Sequence, residues 1–205
     1  GSIATPKEGI TEQVIEVKDF DELKALGAEK IKGKIVFYNH IFPQNVVNSF
    51  DGYGEAGPYR WRGASEASKL GAKAVIIRSV GSAHDDFAHT GSTGFADGVK
   101  KVPCAALSAV DADFLHDALI KEPSLKFKMV MNCEMLDSVK SYNVIAQITG
   151  TQFPNEIIVV GGHLDSWDVG EGAHDDGSGC TQSLEVLRTL KAINVQPKRT
   201  IRCIF

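Results

Sequence analysis

The residues of this chain best suited to chemistry lie in one stretch, 161–179, "GGHLDSWDVGEGAHDDGSG", where two histidines, four aspartates and six glycines share nineteen positions. Imidazoles and carboxylates at this density are what a divalent metal asks of a polypeptide. His163 and Asp165 are spaced i, i+2 at the end of the apolar run "EIIVV". If that run is a strand, both side chains leave on one side of its carboxyl edge, where open α/β sheets place their ligand sites. A neutral imidazole binds Zn²⁺ through one ring nitrogen, and a carboxylate two residues on can accept from the other, which fixes the tautomer. Gly161 and Gly162 leave room for a cofactor or substrate to approach the backbone.

Eleven residues after His163, His174 opens "HDDGSG", just ahead of a helical pattern. Asp176 is placed to cap that helix, which leaves Asp175 to face His163 as a carboxylate able to bridge two metal ions. In two-metal hydrolases the ions lie about 3.5 to 4 Å apart, a span one carboxylate covers. The same residues also suit a Gly-rich loop with a capped helix and exposed histidines, and spacing alone leaves both readings open. Phosphate cradling is not indicated, because the stretch has no GxGxxG and no Lys-Ser/Thr after the glycines.

At these residues the chain resembles the first metal-binding segment of the co-catalytic zinc aminopeptidases and carboxypeptidases. The likeness extends through "YNVIAQITG" and "PKRTIRCIF", and more loosely through "GKIVFYN", "GAKAVIIRSV", "HTG" and "DGVKKVPCAALS". It implies that His163 is a ligand of one zinc, that Asp175 is the carboxylate bridging both, and that Asp165 orients the His163 ring. Less weight falls on Asp168 and on His174, which stands where the family's motif has no histidine. The resemblance further implies a zinc-dependent exopeptidase with two zinc ions per complete site. It also implies a dipeptide or short-peptide substrate, an extracytoplasmic location and a possible homodimer.

The family pattern also calls for a Glu-Glu pair after the next strand, one member the general base and the other a zinc ligand. A further acidic ligand and a second histidine follow. None of these stands before Phe205. Two ligands cannot complete two zinc sites, since each catalytic zinc usually takes three protein ligands. The 205 residues alone are therefore expected to be inactive and to belong to a larger metallopeptidase. Two alternatives are a protease-associated binding module, with Tyr53, Tyr59, Trp61 and His89 as contact residues, and a metal-free structural relative.

The elements that would position these residues are legible as patterns. Runs at 14–17, 34–39, 72–80, 102–108 and 124–132 read as strands. "DFDELKALG" reads as a helix capped by Asp19 and closed at Gly27. "YRWRGASEASKLG" reads as a second helix with Trp61, Ala64, Ala67 and Leu70 on one face, and "AVDADFLHDALI" as a third with Phe114, Leu115, Ala118 and Leu119. The Gly-rich segments 40–63 and 81–101 read as long loops.

Near residue 138 the texture changes to strand, strand, helix, strand. "EIIVV" and "TIRCIF" are apolar enough for strands buried under helices, and Cys180, Leu184, Leu187 and Leu190 fall close to one helical stripe. The expected fold class is α/β: a lead-in over 1–7, a β-rich protease-associated domain over 8–138, and over 139–205 the first part of a mixed-sheet zinc peptidase domain.

Composition sets outer limits. A formal charge of −4 and a pI near 5.9 argue against nucleic-acid binding. No stretch approaches the roughly 20 apolar residues of a membrane span. The four cysteines lack CxxC spacing, and Cys104 and Cys203 sit in apolar runs that suit buried thiols.

Overall fold

The computed structural model describes residues 2–89, 91–167 and 170–205. Its contacts divide the chain into two units, Gly1–Leu136 and Asp137–Phe205. The α/β class holds in both.

In the first unit, strands β1 (Ile10–Val17), β2 (Ile35–Tyr38), β3 (Ala74–Arg78), β4 (Cys104–Leu107) and β5 (Lys126–Met129) form a sheet of order β4-β3-β2-β1-β5. The first four run parallel, and β5 pairs antiparallel with β1. Helices α1 (Phe20–Ile31), α2 (Ser49–Lys69) and α3 (Ala109–Lys121) connect them. The period-two rule of a strand divides β2 between two cores. Val36 and Tyr38 pack with Leu23 and Ile31 of α1 and Ala64 and Ala67 of α2, while Ile35 and Phe37 pack with Ala112, Leu115 and Leu119 of α3. The sheet is thus covered on both faces, which explains why its parallel strands read as continuous apolar runs.

The predicted Asp19 cap forms, and α3 carries a cap at Ser108 that was not predicted. Asp19 accepts from the Glu22 amide at 2.8 Å and Ser108 from the Asp111 amide at 2.9 Å. Gly27, at φ 63°, breaks α1 where the sequence predicts its end, and one further turn follows to Ile31.

Segment 40–63 is a correction. Only its first part is loop, because α2 begins at Ser49 with Asn48 as its cap and runs through Pro58. The glycines that suggest a loop are there for space. A Cβ on Gly52 would press on the Phe42 ring and one on Gly63 on the Tyr38 ring, and the Tyr38 hydroxyl donates to the Gly63 carbonyl at 3.0 Å. The described residues of segment 81–101 are irregular as expected and are pinned to α2 by the amides of Gly94 and Ala96.

Two helical faces are rotated from their predicted positions. Trp61 and Phe114 are exposed, and the buried faces run through Gly63, Ala64 and Ala67 in α2 and through Ala112, Leu115 and Leu119 in α3. Tyr59 packs between the rings of Phe20 and His40, at centroid distances of 4.6 and 4.5 Å. Tyr53 and Trp61 stay largely exposed on α2, with the Arg60 guanidinium donating to the Tyr53 hydroxyl. His89 is anchored by its amide to Ser79 Oγ and by its ring to Asp85.

The second unit holds β6 (Ile145–Ile148), β7 (Phe153–Gly161), a π-helical turn (Ala173–Ser178), α4 (Gly179–Ala192) and β8 (Arg199–Ile204). Its sheet order is β6-β8-β7, with β8 antiparallel to β6 and parallel to β7. Buried Thr200 fixes the register. Its hydroxyl donates to the Pro154 carbonyl at 2.7 Å and accepts from the Gly150 amide at 3.0 Å.

The expectation that "EIIVV" is buried under helices does not hold among the described residues: Ile157, Ile158 and Val159 are 43%, 49% and 58% exposed. One helix, α4, packs on this sheet, and it touches through Ser183 and Leu187 while Leu184 faces away. All four cysteines are free thiols, with Cys104 and Cys203 buried as expected.

Candidate metal centre

β7 ends at Gly161, and the chain leaves the sheet at its carboxyl edge with His163 two residues beyond. The His163 ring then meets partners from two segments. Nδ1 lies 2.7 Å from the Asp165 backbone carbonyl and 3.2 Å from its carboxylate. A carbonyl only accepts, so Nδ1 carries the hydrogen and Nε2 is the nitrogen turned toward Asp175, whose Oδ1 is 2.8 Å away. Without a metal, both ring nitrogens then face acceptors. The Asp165 carbonyl and, after it, the Asp175 carboxylate raise the His163 pKa above the ordinary histidine value.

The sequence assigns orientation of the ring to the Asp165 carboxylate, whereas the shorter contact is to the Asp165 main chain. A backbone acceptor two residues on does not depend on side-chain type, so no residue signal marks it. His163, Asp165, Ser166, Trp167 and Asp175 line a cavity of about 190 Å³. No glutamate lines it among the described residues.

Asp175 and Asp176 lie in the π-helical turn before α4, joined by a cis peptide bond. Their carboxylates go to different partners. Asp175 faces the His163 ring, while Asp176 Oδ2 accepts from the His163 amide at 3.2 Å. The predicted helix-capping role of Asp176 is therefore corrected: its carboxylate reaches back thirteen residues, and α4 has no side-chain cap at Ser178.

His174 sits in the same turn, but its ring makes no hydrogen bond or ion pair among the described residues; only its carbonyl is engaged, by Ser178 Oγ. Asp168 lies outside the described residues, as does Thr90 of the "HTG" motif.

Chemically, the arrangement presents one imidazole nitrogen and one carboxylate to the same point, with the second ring nitrogen already committed. That donor pair fits a borderline divalent ion such as zinc. Among the described residues no group of three or more His, Cys, Asp or Glu converges as a metal-holding set.

Residues 143–205, the segment holding His163, Asp175 and α4, match the sequence profile of Peptidase family M28. The whole chain is 41% identical over 204 residues to carboxypeptidase Q of Homo sapiens, and it spans about 41% of that relative's length. Among solved structures, the Peptidase M28 precursor of Shewanella amazonensis SB2B superimposes over 100% of this chain with a TM-score of 0.89 at 35% identity, 46% of that structure being covered. The zinc aminopeptidase BSAP of Bacillus subtilis shares the fold at a TM-score of 0.64 and 22% identity, with 43% of its chain covered.

Proposed function

From the match of residues 143–205 to Peptidase family M28, we propose that the chain belongs to that family and supplies part of the active site of a zinc-dependent exopeptidase acting on dipeptides or short peptides. The observation that carries this reading is the convergence of His163 Nε2 and Asp175 Oδ1, 2.8 Å apart, at the carboxyl edge of β7. The names of the relatives support a peptidase, and that of BSAP, a zinc aminopeptidase, supports zinc.

In this reading His163 would hold zinc through Nε2, with the Asp175 carboxylate as the second protein donor. Zinc, when bound, supplies Lewis acidity and brings the pKa of a coordinated water down to near neutrality. Asp165 keeps the His163 ring turned so that Nε2 is the free nitrogen, through its carbonyl first and its carboxylate second. A proton on Nε2 would compete with a metal for the same lone pair, so acid would oppose loading.

Two protein donors do not satisfy two ions, so the general base and the remaining ligands come from outside the set described above. The chain's span of less than half of its relatives is compatible with that. An extracytoplasmic location and a homodimer accompany this proposal on family resemblance; among the described residues no helix is long and apolar enough to cross a membrane. A binding role for the first unit is a second reading, favoured by the exposure of Tyr53 and Trp61 on α2.

The test is dipeptide hydrolysis by the protein that carries this chain in the cell, with and without a chelator. Activity should vanish on chelation and return with zinc. His163→Ala and Asp175→Ala should each lower kcat/KM by at least about 100-fold. Activity that survives the chelator and both substitutions would sink the proposal.

A further inference from the structure

The backbone of His163 is held from both sides by one short segment. Asp176 Oδ2 accepts its amide at 3.2 Å, and the Cys180 thiol donates to its carbonyl at 3.3 Å. Seven residues after Asp176, Ser183 Oγ donates to the Gly161 carbonyl at 3.2 Å. Cys180 and Ser183, three apart, share one face of α4, and Asp176 precedes that helix in a turn whose backbone is non-helical at Asp176. Such a face would ordinarily be apolar against a strand, yet here polar groups meet the strand's last carbonyls and amide.

The neighbouring glycines fit the same device. Gly162 and Gly179 both lie outside the positive-φ region, so conformation does not require glycine at either position. Space does. A Cβ on Gly162 would come within 2.5 Å of Asp176 Oδ2 and 3.0 Å of Cys180 Sγ, and one on Gly179 would overlap Asp176 Oδ1. The two glycines form a slot that admits the Asp176 carboxylate between the end of β7 and the start of α4.

We propose that Asp176 and Cys180 are positioning residues that clamp the His163 backbone to the start of α4, fixing where the imidazole stands relative to Asp175. The proposal rests on the metal reading of His163 and Asp175 for its functional meaning, though the clamp itself is a statement about backbone hydrogen bonds. Asp175 and Asp176 are neighbours in one turn, so a clamp through Asp176 couples the two proposed zinc donors across the twelve residues that separate them in sequence. The acceptor at position 176 need not be charged, since an asparagine side-chain oxygen also accepts from an amide.

The test uses the 205-residue chain with two readouts, hydrogen exchange at the His163 amide and zinc affinity by competition with a chromophoric chelator. Asp176→Ala should raise exchange at the His163 amide at least about tenfold, leave the β8 amides protected, and weaken zinc binding by about 10 to 100-fold. Asp176→Asn should restore both. Cys180→Ala, a milder change that keeps the fold if Asp176→Ala does not, should weaken zinc binding in the same direction, with Cys180→Ser restoring it.

Unchanged exchange and affinity in Asp176→Ala and Cys180→Ala would overturn the clamp. So would an Asp176→Asn protein as impaired as Asp176→Ala, because charge and not the backbone hold would then matter. A wild-type chain that takes up no zinc would follow from its incomplete ligand set and leave the metal reading to the hydrolysis test above, and the exchange data would then decide the clamp alone.

Discussion

The runs "AVII" in β3 and "EIIVV" in β7 have nearly the same composition and opposite fates. Ile76 is 1% exposed and Ile158 is 49% exposed. Helices cover both faces of the first unit's sheet, whereas one helix packs on the three strands of the second. An apolar, β-branched run therefore specifies extended backbone. How much water it loses depends on the layers laid over it. The first unit invests its glycines and alanines in close helix packing, and the second invests its glycines in a slot for a carboxylate beside the candidate metal centre.

That contrast can be broken by substitution. The largest effect is expected for Ile76→Ala, which should destabilise the first unit by about 2–5 kcal/mol as a buried large-to-small change. Ile158→Ala should cost about 1 kcal/mol or less, because half the side chain is already in water. The chain has two tryptophans, Trp61 and Trp167, one in each unit. Urea unfolding followed through either one, the other replaced by Phe, separates the units. Equal losses at the two sites would abolish the distinction.

A smaller effect concerns buried charge in the first unit. Arg78, at the end of β3, reaches Asp113 Oδ1 at 2.6 Å and Asn39 Oδ1 at 3.1 Å, and His84 meets the other Asp113 oxygen. Arg78 first, and His84 second, hold the Asp113 carboxyl below the usual carboxylate range. A depressed folded pKa gives stability that is present above the unfolded value of about 3.9 and is lost as pH falls through the folded value. Asp113→Asn should therefore cost on the order of 1 kcal/mol near neutrality, the half-exposed partner being screened, and should flatten the loss of stability below about pH 4. An unchanged acid slope would show that the pair does nothing for folding.

The smallest expected effect is at His163 in the second unit. Its pKa is raised by the Asp165 carbonyl and then by Asp175, so any stability it adds is present below about 6.5 and is lost as pH rises through the folded value. Titration of the His163 ring by NMR, metal-free, should give a midpoint above the ordinary histidine value, and Asp175→Asn should bring it down. A midpoint at or below the ordinary value would contradict the hydrogen bonds assigned to both ring nitrogens.

Much of this molecule was legible from residue patterns. The strands of the first unit, the Asp19 helix start, and the strand, strand, helix, strand order after residue 138 follow from periodicity and capping chemistry. The second half of segment 40–63 was not legible, because a glycine chosen for close approach to Tyr38 looks the same in sequence as one chosen for a turn. The Cys180 stripe held in part: Leu187 is buried as expected, whereas Leu184 is exposed and Ser183, outside the stripe, meets the end of β7.

The sequence by itself drew attention to His163 and Asp175, whose types and spacing allow a metal site beside an exposed-loop reading, and the family resemblance, not spacing, favoured the first. The sequence did determine that the chain is α/β, because alternating apolar runs and capped helices are local properties. Only the tertiary structure decided that the Asp165 main chain orients the His163 ring, that Asp176 grips the His163 amide instead of capping a helix, and that β7 stays half in water. Each of these depends on which groups are brought within about 3 Å across the fold, or on which layer lies over a strand. A local pattern carries neither distance.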